Sequence, residues 1–186
     1  MKRIFDLLLG VVIFVLLLAP MLLIAIAVCL SSRGPVLYWS DRVGKNNAIF
    51  KMPKFRSMRI DTPAVATHLL GNPDAYLSPI GGFLRRSSLD ELPQLFSVLK
   101  GDMSFVGPRP ALFNQEDLIA LRSEKSVDKL LPGITGWAQV NGRDELSIPD
   151  KVALDVEYLN RQSFWFDIKI LWMTFLKVIK RDGVSH

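Results

Sequence analysis

From Leu7 to Leu30 the chain runs 24 residues without a charge, bounded by Lys2, Arg3 and Asp6 before it and Arg33 after it. That is the length of a membrane segment, whereas the apolar part of a secretory signal is usually about 7 to 15 residues. Pro20 lies in its middle and withdraws the backbone donor that the Leu16 carbonyl would otherwise receive, so a kink or break is expected there. Two arms of about 13 residues, each roughly 20 Å long, fall short of a hydrocarbon core of about 30 Å. The pattern predicts a re-entrant helical hairpin over residues 1–32 that enters the bilayer and turns back; a kinked spanning helix is the alternative.

Further along, Val36-Leu37-Tyr38-Trp39 and Ala48-Ile49-Phe50 are strand-like and flank the turn-prone Gly44-Lys45-Asn46-Asn47, which predicts a short hairpin. Thr62 to Pro79, punctuated by Pro63, Gly71, Pro73 and Pro79, reads as loop with one helical turn. Ile119 to Leu130 and Pro149 to Asn160 read as helices, with Pro149 suited to a first helical position. Phe164 to Arg181 reads as a third, with Trp165, Ile168, Trp172, Phe175, Leu176 and Ile179 among its apolar positions. Lys169, Lys177 and Lys180 share an arc of about 80° on that helix, leaving a wide apolar face. Such a face suits a membrane interface or an ordinary core equally well.

These elements describe an α/β (α+β, helix-rich) small domain over residues 33–186, behind the hairpin and carrying interfacial amphipathic helices. A chain of 186 residues has room for one core. With 49% apolar and 22% charged residues it is not a disordered chain. Cys29 is the single cysteine, and His68 and His186 are the only histidines, which excludes a disulfide scaffold and leaves little for a zinc cluster.

Charge sharpens the membrane reading. Between Arg33 and Arg59 stand Arg33, Arg42, Lys45, Lys51, Lys54, Arg56 and Arg59 against Asp41, a local +6 in a chain of net +5. With Lys2 and Arg3 on the other flank, both sides of the apolar stretch prefer the cytoplasm, which one straight span cannot satisfy. The basic stretch suits anionic phospholipid head groups or phosphorylated substrates. Aromatic residues are not interleaved in it as stacking platforms, which argues against nucleic acid as a partner.

Three segments carry candidate chemistry. In Arg85-Arg86-Ser87-Ser88-Leu89-Asp90-Glu91-Leu92-Pro93-Gln94-Leu95, Leu92, Leu95, Phe96 and Leu99 repeat as one helix face. Ser88 as cap makes a capping box with Glu91 but sets Pro93 at the fifth helical position; Asp90 as cap sets Pro93 at the third, where its missing N–H costs nothing. Either frame puts Asp90 at or near a helix start, where the dipole favours the ionised carboxylate. A carboxylate nucleophile needs that, and an ordinary N-cap aspartate experiences the same. In Lys100-Gly101-Asp102-Met103-Ser104-Phe105-Val106-Gly107-Pro108-Arg109-Pro110, two prolines restrict the backbone that presents Arg109, whose guanidinium suits a phosphate or a structural salt bridge. Pro132-Gly133-Ile134-Thr135-Gly136-Trp137-Ala138-Gln139-Val140-Asn141-Gly142-Arg143 is a glycine-spaced loop that permits a ligand close to the backbone or simply makes turns. With Lys54 in Lys54-Phe55-Arg56-Ser57-Met58, these cations fit a multiply phosphorylated, magnesium-bound substrate.

Taken in this order behind Lys2-Arg3-Ile4-Phe5-Asp6, the Lys54, Ser88, Lys100 and Pro132 segments resemble the bacterial sugar transferase family, the small monotopic phosphoglycosyl transferases. The resemblance implies an enzyme on the cytoplasmic face of the bacterial inner membrane. Its expected reaction moves a sugar-1-phosphate from a UDP-sugar, by family habit one with an N-acetylated amino sugar, to undecaprenyl phosphate, releasing UMP. It implies Asp90 as the nucleophile that holds the phosphosugar covalently and Glu91 as the residue assisting chemistry or metal, with Mg2+ held at Asp90 and Glu91. Lys54, Arg85, Arg109 and Arg143 match basic residues around the phosphates or nucleotide, and Asp155 matches a further essential acid. A homo-oligomer is compatible with it. A catalytically dead membrane adaptor on the same basic surface is the rival reading. Ala19-Pro20 departs from the Ser-Pro of many members, which weakens the hydroxyl's part in the break and leaves the proline's.

Overall fold

A computed structural model describes residues 2–62, 73–142 and 146–180. The apolar stretch is helix α1 (Lys2–Ser31), long and apolar enough to cross a membrane, and the helix continues through Pro20. The two separate arms expected from the sequence are thus one continuous element. Leu17 and Met21, on either side of the proline, pack into the same apolar cluster, which holds the helical path across the lost hydrogen bond.

α1 touches the globule along its length. Arg3 donates to the Val98 and Leu99 carbonyls at 2.5 and 2.7 Å, buried Asp6 accepts from Phe105 N at 3.2 Å, and the Phe14 ring meets Phe96 edge-on. Beyond Pro20, Met21 and Val28 join Phe55 and Leu84, and just past the helix end Arg56 donates to the Ser32 carbonyl at 2.7 Å. The opposite side, from Ile4 through Leu8, Val15, Leu16 and Leu23 to Leu30, is exposed and apolar.

The expected hairpin is present as β1 (Leu37–Val43) and β2 (Ile49–Phe55), antiparallel, with Leu37 opposite Phe55 and Val43 opposite Ile49. Its turn holds Asn46 and Asn47 at φ 54° and 59°, a region asparagine tolerates better than most residues. Next come a 3-10 turn (Pro73–Tyr76), in the part of the expected loop beyond residues 63–72, which lie outside the described residues, then helix α2 (Gly81–Arg86), another 3-10 turn (Leu89–Glu91) and helix α3 (Gln94–Lys100).

β3 (Ser104–Val106) pairs in parallel with β4 (Gly133–Thr135). Between them lie helix α4 (Glu116–Glu124), which starts three residues before the expected Ile119, and a 3-10 turn (Val127–Lys129) that breaks the expected helix at Ser126, φ 62°. The glycines of this region have a use the sequence did not disclose. A Cβ on Gly107 would collide with the Leu131 carbonyl, and Cβ atoms on Gly133 and Gly136 would collide with the backbone of Gly107. They let two strands of the protein approach, rather than a ligand.

Helices α5 (Trp137–Asn141), α6 (Ile148–Arg161) and α7 (Phe164–Lys180) complete the domain. Ser147 caps α6 by accepting from Asp150 N, and Pro149 sits in its first turn. The principal core gathers Met52, Leu95, Val98, Met103, Phe105, Val106, Val140, Tyr158, Phe166 and Ile170. α7 turns Phe166, Asp167 and Ile170 inward, while Trp165, Trp172, Phe175, Leu176 and Ile179 remain exposed. The helix thus packs one face into the core through Phe166 and Ile170 and leaves a second apolar set outside. The result is a helix-rich mixed α/β domain with one long apolar N-terminal helix.

Candidate functional site

The cluster that the fold assembles is built on short elements. Lys54 projects from β2, Glu91 from the 3-10 turn at Leu89–Glu91, and Arg109 from the loop after β3. Lys54 Nζ lies 2.7 Å and Arg109 Nη2 3.2 Å from Glu91, both on Oε1. All three are partly exposed, with 17%, 18% and 33% of the Lys54, Glu91 and Arg109 side chains open, so the cluster is reachable from one side.

Asp90 and Glu91 are held from below by their neighbours. Leu89 and Leu92 flank the pair and pack into the cluster that α1 shares with Phe55 and Leu84. Asp90 itself is 7% exposed. Neither expected helix frame is adopted. Ser88 takes a left-handed φ of 56° and makes no side-chain cap, Leu92 N returns to the Leu89 carbonyl, and α3 begins only after Pro93. An α-helix started at Ser88 would have needed the amide that Pro93 lacks, so the chain makes one tight turn and restarts. Asp90 therefore stands in a 3-10 turn ahead of α3, not at that helix's first residue.

Electrostatics reinforce the cluster. Burial pushes the Glu91 carboxyl up, but the charges and hydrogen bonds of Lys54 and Arg109 outweigh it and hold it well below the usual carboxylate range. Arg42, on β1, is lowered to about 10 by burial and by the Arg109 charge, and is still a cation at neutral pH. Lys54, Arg109 and Arg42 thus surround a carboxylate that is ionised throughout the physiological range.

The expected site residues divide accordingly. Lys54, Glu91 and Arg109 are in contact, and Asp90 adjoins them in the turn. Arg85, in the last turn of α2, is half-buried and donates to Met58 Sδ at 3.5 Å. Asp155 is elsewhere: it is 1% exposed, and its Oδ2 accepts from Arg122 Nε and Nη2 at 3.0 and 2.7 Å. Burial pushes its carboxyl up, and the Arg122 charge offsets part of that. Asp155, expected around the substrate, is a buried partner of an arginine. Arg143 lies outside the described residues, as does His68.

Arg122 went unread in the sequence, and Arg42 was read only as one cation of the basic stretch. Arg122 had a signal: it follows buried Leu118 by four positions on one helix face, where an unaccompanied charge calls for a buried acid. Arg42 had none, because it lies among other cations of the basic stretch.

For a metal, no group of three or more His, Cys, Asp or Glu side chains is assembled among the described residues. Two adjacent carboxylates nonetheless fit magnesium, which takes one or two protein carboxylates and completes its shell with water and substrate phosphates. Of the two carboxylates, Glu91 already meets Lys54 and Arg109 through Oε1.

The family model described as "Bacterial sugar transferase" matches residues 1–181. An undecaprenyl-phosphate glucose phosphotransferase of Komagataeibacter xylinus is 45% identical over 197 residues, covering 100% of this chain and 36% of its own length. A UDP-glucose:undecaprenyl-phosphate glucose-1-phosphate transferase of Escherichia coli is 42% identical, covering 95% and 40%. The uncharacterized sugar transferase EpsL of Bacillus subtilis is 39% identical, covering 100% of this chain and 91% of its own length. The chain thus spans well under half of the first two relatives and nearly all of the third. With the family model running through the Lys54, Asp90-Glu91 and Arg109 segments that the fold brings together, the chain belongs to the bacterial sugar transferase family.

Proposed function

We propose that this protein transfers a sugar-1-phosphate from a UDP-sugar to undecaprenyl phosphate, giving undecaprenyl-diphosphate-sugar and UMP. The observation that carries the reading is the single Glu91 oxygen shared by Lys54 and Arg109 in the turn that also holds Asp90, a cation surplus next in the chain to a nucleophile of the right kind. An Asp90 oxygen attacks the phosphorus bearing the sugar; the bond to the bridging oxygen breaks, and that oxygen leaves with UMP. An oxygen of undecaprenyl phosphate then attacks the same phosphorus and displaces the carboxylate. Lys54 and Arg109 exchange part of their contact with Glu91 for the donor's phosphate oxygens, where their charge offsets that of the transition state. Asp90 and Glu91 would hold magnesium, which when bound supplies charge neutralisation at the phosphates.

The acceptor phosphate sits at head-group level, so the site belongs at a membrane face. The apolar outer side of α1 and the exposed Trp165, Trp172, Phe175 and Leu176 of α7 support lipid contact on that side of the domain. Contacts to the globule at both ends of α1, with cations flanking both, support a helix that keeps both ends on the cytoplasmic face rather than one that spans. Cytoplasmic tags at both termini are expected, and a periplasmic N-terminus would refute that placement.

The test is UMP release from a panel of UDP-sugars with undecaprenyl phosphate and magnesium, wild type against Asp90→Asn. UDP-glucose and UDP-galactose come first, because those sugars stand in relatives' names, the latter in an undecaprenyl-phosphate galactose phosphotransferase of Salmonella typhimurium, 36% identical and covering 98% of this chain and 41% of its own length. UDP-linked N-acetylated amino sugars follow. Release that depends on Asp90 supports the reading, whereas a fully active Asp90→Asn enzyme sinks it. Silence across the panel from folded, membrane-bound protein favours an adaptor.

A further inference from the structure

Proline has no amide hydrogen, so the segment around Pro108-Arg109-Pro110 must be anchored chiefly through its acceptors. Four consecutive carbonyls are taken. Pro108 O accepts from Gly133 N at 2.9 Å, Arg109 O from Arg122 Nη1 at 2.8 Å, Pro110 O from Arg42 Nη1 at 3.1 Å and Ala111 O from Val43 N at 2.9 Å. The outer two anchors come from backbone and the inner two from arginine side chains on different elements, α4 and β1.

Each arginine is itself fixed. Asp155 binds Arg122 through Nε and Nη2, which leaves Nη1 for the loop, and Arg42 Nε is held 3.0 Å from Ser40 Oγ. Only a planar, multi-donor fork can hold a carboxylate along one edge and a carbonyl with its remaining nitrogen. The charge of Arg42 also works against that of Arg109, so carbonyl anchoring is what keeps the two guanidiniums in register.

We propose that Arg122 and Arg42 are positioning residues that clamp the backbone on either side of Arg109 and so set where its guanidinium meets Glu91 and an incoming diphosphate. Asp155 acts through Arg122 and touches no substrate. The catalytic consequence rests on the transfer reaction proposed above; the clamp itself does not.

The experiment uses the full chain in nanodiscs. Arg122→Lys keeps a positive charge against Asp155, but one ammonium cannot make two carboxylate bonds and also reach the Arg109 carbonyl. Faster amide hydrogen exchange confined to residues 105–112 is expected, together with a fall of about 100-fold in kcat/KM for UMP release, the scale of a roughly 1 Å misplacement. In an Arg109→Ala background the same substitution should cost nothing further. Should Arg122→Lys not fold, Asp155→Asn gives the same readings. Unchanged exchange over 105–112 overturns the clamp whatever the activity, and losses that multiply with Arg109→Ala overturn action through Arg109. A wild type that releases no UMP defeats the transfer reaction instead, and the exchange result still decides the clamp.

Discussion

Two polar clusters in this molecule use the same parts and reach opposite balances. At the N-terminus of α1, Lys2 Nζ lies 2.6 Å from Asp167 Oδ2, and Tyr158 donates to Asp167 Oδ1 at 2.7 Å. Within this pair one cation meets one anion, and each Asp167 oxygen has one donor. Around Glu91, two cations converge on a single oxygen, with Arg42 behind them. A balanced cluster finishes its electrostatics inside the protein and serves architecture. An unbalanced one costs stability through mutual repulsion, and persists where an incoming anion completes it.

That contrast can be broken at four points. The largest effect belongs to Asp90→Asn, where turnover should fall about 10^4-fold or more and no phosphosugar adduct should form with labelled donor. Mass spectrometry of the intact protein checks the adduct, and an unchanged melting temperature confirms that chemistry alone was lost. Lys54→Ala comes next, with kcat/KM down about 10^2- to 10^3-fold because one charge facing the donor is gone. Glu91 would keep Arg109, so the fold should hold.

At the balanced cluster the signs reverse. Asp167→Asn should leave kcat/KM within about threefold yet destabilise by about 1.5 to 3 kcal/mol, the range for a hydrogen bond to a charged group. A calorimetric scan in one fixed detergent reads it. The smallest effect is in pH. The folded Glu91 carboxyl is depressed, so its contribution to stability is complete above its unfolded value of 4.5 and is lost only as pH falls through the folded one. The melting-temperature gap between wild type and Glu91→Gln should stay constant from pH 7 to about 5 and close only below about 4. A gap that closes near pH 6 would mean that Lys54 and Arg109 do not hold the carboxylate as described.

Much of this was legible in the chain. Alternation and turn residues placed the β1–β2 hairpin, helical periodicity placed α6 and α7, and the uncharged run placed α1. The cations and acids of the site stood in recognisable segments, and Lys54, Glu91 and Arg109 do meet. What escaped has physical causes. β3 and β4 are three residues each, too short to show a period, and their parallel pairing joins segments far apart in sequence. Pro93 displaced the start of α3, because two adequate caps competed and neither was used. The role of Asp155 was hidden because it depends on Arg122, whose distance from it along the chain carries no pattern.

The pairing of Lys2 with Asp167 spans 165 residues, and it sets an order of events during synthesis. At roughly 5 to 20 residues per second, the start of α1 leaves the ribosome about ten to thirty seconds before its partner exists. Throughout that interval the most water-averse segment of the protein has none of its late-made neighbours to lean on. Lipid or a chaperone has to shelter it first, and docking of the finished domain onto an already sheltered helix becomes the last step of maturation.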